Sequence, residues 1–142
     1  MANIIPFSFR GELFKGTHNF GNGGNVFKIP MYTSNPYSTS STVYLTGNEV
    51  SGSNTGYTVG GKVLGSQAVA SGTAVASVDF ADSSLPSATF TAAFAAIYND
   101  SNSTKFLCVV LDFGGNKTAT NGTFTISFPD PSTPANAIIS MA

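Results

Sequence analysis

Charge is what this sequence has least of. Only 9% of its residues are Asp, Glu, Lys or Arg, against about 25% in an ordinary soluble domain. Six basic and seven acidic residues leave a net charge of -1. That balance gives no basic footprint for nucleic acid and no polybasic patch for anionic lipid. Ser, Thr, Asn and Gly supply the polarity instead. Charge repulsion normally keeps free monomers apart, and interface cores are depleted of charge. A surface this neutral is therefore either ordinary β-sheet polarity or area that neighbours cover in an assembly. Tryptophan is absent, and cysteine and histidine occur once each. A lone cysteine excludes an internal disulfide, so stability does not rest on oxidation and synthesis in a reducing cytosol fits. One Cys and one His also exclude a zinc site of ordinary type. No stretch approaches the ~18 apolar residues of a membrane span. The opening MANIIPFSFRGELF lacks a basic start and is interrupted by Pro6 and Arg10, unlike a signal peptide.

What is present is β pattern. A chain of 142 residues suits one domain and buries about two-thirds of its unfolded surface. The helix candidate is SFRGELFKGTHNF (8–20), with Phe9, Leu13 and Phe14 at i, i+4, i+5, a possible Ser8 cap and a stop near Gly16. GNGGN (21–25) reads as a turn. NVFKIPMYTS (25–34) is β-like, and Pro30 within it argues for an edge strand or a bend. TVYLT (42–46), YTVGGKVLG (57–65) and TAVASVDF (73–80) read as short strands. ATFTAAFAAIYN (88–99) alternates with Phe90, Ala92, Phe94, Ala96 and Tyr98 on one face. TKFLCVVLDF (104–113) is apolar on both faces and reads as a covered central strand. GGNKTATNG (114–122) reads as a turn. TFTISF (123–128) alternates, PDPSTP (129–134) stops it, and NAIISMA (136–142) is a terminal strand. Seven to nine strands with little helix predict an all-β fold, an antiparallel sandwich or jelly-roll-like barrel with one short N-terminal helix. The division is an N-terminal arm and helix over 1–24 and a single β-sandwich domain over 25–142.

Several motifs suggest chemistry and fail on their requirements. Gly56, Gly61 and Lys62 in GYTVGGKV have P-loop spacing. Val63 stands where magnesium needs Ser or Thr, and no helix follows; turns or bulges account for the glycines. Asp112-Phe113-Gly114 spells a kinase motif in a chain lacking every other kinase element. Cys108 lies mid-strand, where an inert buried thiol is expected, and His18 lies at the end of the helix candidate, so a Cys108–His18 nucleophile pair is not expected. Asp79 and Asp82 with Ser83 and Ser84 are a thin ligand set for calcium. No pair of carboxylates for glycoside hydrolysis is placeable. Tyr32, Tyr37, Tyr44 and Tyr57 offer a stacking surface for sugar in place of Trp. Asn99, Asn102, Asn116 and Asn121 head glycosylation sequons but read as turn asparagines. No catalytic residue, metal ligand or cofactor is assigned.

Several stretches together resemble a family of small tailed-phage virion proteins, found for instance in phages of cyanobacteria. They are GELFKGTHNF (11–20), FKIPMYTS (27–34), GNEVSGSNTGYTVGG (47–61), VDFAD (78–82), ATFTAAFAAIYND (88–100), VVLDFGGNKTATNGTFTISFP (109–129) and AIISMA (137–142). The likeness runs in order along nearly the whole chain, with Pro30 where the family usually has Ala. The resemblance implies a capsid cement or decoration protein and no enzyme. It implies the virion capsid surface as location, and as partners the major capsid protein and further copies of the chain in a homotrimer, without nucleic acid or membrane. The candidate capsid or oligomer interface is Phe7, Phe9, Arg10, Leu13, Phe14, Ile138 and Ile139, with the N-terminal phenylalanines docking on a partner or on their own domain. A tail or baseplate component, or a glycan-binding β-sandwich module, is the alternative.

Overall fold

The computed structural model describes residues 3–130, 133 and 136–142. Among them are one helix, α1 (Phe7–Phe14), and eight strands: β1 (Phe27–Ile29), β2 (Met31–Tyr32), β3 (Lys62–Val63), β4 (Ala68–Ser71), β5 (Ala76–Asp79), β6 (Ser83–Asn99), β7 (Leu107–Ile126) and β8 (Ile139–Met141). The fold is all-β and sandwich-like, two antiparallel sheets packed together with one short helix. In the larger sheet β1 and β2 pair successive stretches of one flank of β6, β3 lies outside β1, and β7 takes the other flank of β6. The smaller sheet runs β4-β5-β8.

Phenylalanine builds the core. Phe20 and Phe27 stack with centroids 4.3 Å apart, and Phe80 meets both edge-on. Phe9 from α1, Val78 from β5 and Ile139 from β8 join the same cluster, which ties helix and both sheets together. Each large apolar side chain so buried contributes about 1.5–3 kcal/mol. A second cluster, Tyr32, Tyr37, Ala96, Leu107 and Val110, covers the opposite face of the larger sheet.

Several local expectations change. Residues 114–122 are not a turn. They continue β7 along β6, with Thr118 opposite Thr91 and Ala119 opposite Phe90. Glycine marks a bulge there: between the pairs Ala92–Lys117 and Phe94–Asp112, four residues (113–116) oppose the single Ala93. The bulge slips the side-chain period, so Phe90 and Ala92 face the main core while Phe94 and Ala96 face the tyrosine cluster. Nor is β7 central. Among the described residues it pairs as a strand only with β6, and its outer edge is met at Val110 by an isolated bridge from Ile4. Its two-sided burial comes from clusters above and below, not from a further strand.

Pro30 splits 25–34 into β1 and β2 but does not lie at an edge. Its carbonyl accepts from Ala96 N at 3.1 Å, and its proton-free nitrogen faces Gly61, whose missing Cβ would stand 2.3 Å away. Residues 42–46 contribute only the bridge Val43–Phe106, and 57–65 only β3. Strand β4 was not expected. The helix begins one residue before Ser8: Pro6 occupies the N-cap with no side-chain cap, and the Ser8 hydroxyl has no hydrogen-bond partner among the described residues. Gly16, at φ 69, closes its C-terminal end by donating to the Leu13 carbonyl at 3.1 Å. The strand stop at 129–134 lies partly outside the described residues.

Candidate functional site

The fold assembles a polar cluster that the sequence keeps far apart. Helix α1 turns Glu12 inward, and its Oε2 lies 2.7 Å from His18 Nε2. The other ring nitrogen, Nδ1, faces Asn99 Nδ2 at 3.1 Å and Cys108 Sγ at 3.7 Å. An amide NH₂ only donates, so Nδ1 accepts and the ring proton sits on Nε2, donated to the Glu12 carboxylate. Carboxylate, imidazole and thiol thus stand in the order of a nucleophilic triad. Cys108 is completely buried. Burial first, then the nearby Glu12, holds its thiol well above the ordinary range, so it stays protonated and weakly nucleophilic. The cluster is a tether: Asn99 Nδ2 also faces Thr17 O and Asn25 Oδ1, fastening residues 17–25 to the end of β6. His18 therefore bonds within the interior, not at the helix end.

The other motifs are spent on structure. Gly60 N donates to Glu49 Oε1 at 2.7 Å, Gly61 N to Thr58 O at 3.0 Å, and Lys62 Nζ to Ser84 O. The P-loop-like stretch has none of these groups free for a phosphate. Asp82 accepts from Phe128 N at 2.8 Å. Among the described residues no three of His, Cys, Asp or Glu are grouped to hold a metal ion. Of the proposed sugar platform, Tyr32, Tyr37 and Tyr57 are buried. Asn99 is buried too, and Asn102 accepts from Thr104 N at 2.9 Å in a local turn.

The surface carries a different feature. An apolar groove of about 560 Å³ runs between the helix side and the small sheet. Phe9, Leu13 and Phe20 form one wall and Val69, Ile139 and Met141 the other, with His18 among the lining residues and no Asp, Glu, Lys or Arg. Alternation explains the sheet side: Val69, Val78 and Ile139 are direct cross-strand partners and share one face. Of the candidate interface residues, Phe9 and Ile139 are buried in the home core, and Leu13 and Ile138 pack partly against it. Phe7, Arg10 and Phe14 remain outside, with the Arg10 guanidinium 5.8 Å from the Phe7 ring centroid. The groove was invisible in the sequence because β4, which supplies Val69, was itself unrecognised. Comparison with known protein families, with curated proteins and with solved structures finds no match to this chain.

Proposed function

We propose that this protein is a structural virion component that binds the outer shell of a tailed-phage capsid and bridges neighbouring major capsid protein subunits. One observation carries the reading beside the sequence resemblance: two sheet edges are almost uncharged and, among the described residues, unpaired. Strand β4 is Ala-Val-Ala-Ser, all four residues are exposed, and among the described residues it pairs only with β5. Free β proteins usually guard such an edge with Lys, Pro or a covering segment. Beyond the bulge, β7 offers a second long edge in which residues 114–121 carry one charge, Lys117. Edges of this kind suit main-chain pairing with neighbours, and many modest contacts repeated by symmetry reinforce a shell. Catalysis has no part in the reading. In the triad-like constellation the Cys108 thiol is fully buried and burial holds it protonated, although His18 reaches the groove.

The test is addition of purified protein to shells that lack it, with electron microscopy and a heat challenge. Ordered density on the outer shell and a raised disruption temperature are expected. Density confined to the tail, or no binding to shells, overturns the proposal. A glycan-binding role is less favoured because the tyrosines that would stack sugar are mostly interior; a glycan array should give no signal.

A further inference from the structure

We infer that the apolar groove receives Phe14 from a second copy of this chain. Helix α1 is apolar on more than one side. Phe9 and Leu13 face the core, while Phe7 and Phe14, at i and i+7 on either side of the charged Arg10, lie exposed along another stripe. Large apolar side chains left exposed beside an apolar groove mark area that a neighbour covers. The ring of Phe14 is 94% exposed. It stands between Leu13 and Gly16, two residues that line the groove, so an unfilled apolar hole and an uncovered aromatic side chain are adjacent on one patch.

The chemistry of the hole selects the occupant. With no charged side chain in its lining, it favours an uncharged apolar group. Val69 and Met141 at the sheet side are 52% and 59% exposed, so the rim too presents hydrocarbon. A patch carrying both the projecting ring and its receptacle is self-complementary. Two copies about a two-fold axis fill both grooves at once, and a closed ring of copies fills them in turn. The contact needs no capsid. It is a property of the isolated protein, and its failure is distinct from failure to bind shells.

Sedimentation of the purified protein across a wide concentration range tests it. Wild type is expected to associate, and Phe14→Asp or Val69→Asp to weaken association at least about tenfold, with the β-sheet circular dichroism of the folded protein kept because neither side chain is buried in the core. Mixing the two variants should give association above that of either alone, since one intact ring can still enter one intact groove. An isotope-filtered NOE experiment on mixed labelled and unlabelled wild type should connect the Phe14 ring to Ile139 methyls of another copy. Strictly monomeric wild type overturns the inference. Association indifferent to Phe14→Asp overturns it, and so does association lost in Phe14→Asp but kept in Val69→Asp. A monomer that needs Phe14 only for shell binding also overturns it, assigning the ring to a capsid subunit instead.

Discussion

At Gly61 the backbone sits at φ 87, and a Cβ would meet the Pro30 nitrogen at 2.3 Å and the Ile29 carbonyl carbon at 2.5 Å. Neither atom belongs to a flexible side chain, so nothing nearby yields. Gly61→Ala should destabilise the protein by about 3 kcal/mol or more, combining left-handed strain with displaced backbone; urea unfolding measures it. Glu49 is as exacting. Its carboxylate accepts from Tyr44 and Tyr57 hydroxyls at 2.5 Å each and from Gly60 N at 2.7 Å. Glu49→Ala strips a charge-assisted acceptor from three donors and should cost roughly 2–3 kcal/mol in the same assay. Together the two positions show why GYTVGGKV has its Gly60-Gly61 pair. Gly61 lets strands approach, and Gly60 before it turns its N–H to a carboxylate, with no phosphate involved.

Helix α1 presents the opposite case, a glycine that nothing requires. Gly11 lies inside the helix, and a Cβ there meets no atom within 4 Å. Gly11→Ala should raise stability by about 0.5–1 kcal/mol, read as a higher melting temperature. Elements of this size were legible wherever one periodicity ran unbroken. Phe124, Ile126 and Phe128 face the core as their spacing implies, and so do Val78 and Phe80. Legibility failed at bulges. A Gly-Gly-Asn run looks identical whether the chain reverses or merely swells, and only the partner strand distinguishes the two. The exposed β4 has no buried face to imprint an alternating pattern. The Glu12–His18–Cys108 cluster was illegible for another reason: its members are joined across 90 residues of sequence by tertiary packing alone.

At the scale of the molecule, the tyrosines act together. All five are held above the ordinary phenol value of 10.0, burial being the largest cause for each. The Tyr37 hydroxyl, 2.6 Å away, raises Tyr32 further, the same bond partly offsets the effect of burial on Tyr37, and Glu49 opposes ionisation of Tyr44 and Tyr57. The folded state therefore keeps protons that the unfolded chain releases above pH ~10. Stability is intact below that pH and is lost as pH rises beyond it. Phenolate absorbance should then appear in step with loss of the β-sheet circular dichroism, not before it. The large sheet has one further consequence. Its β6–β7 hairpin is local in sequence, whereas β1 and β2 join β6 through only Phe27–Asn99, Lys28–Tyr98, Met31–Ala95 and Tyr32–Phe94. Local closure is quicker than distant closure. In pulsed hydrogen exchange during refolding, β6–β7 amides should gain protection ahead of residues 27–32, so the early half-built sheet presents one naked flank to every other copy in the tube.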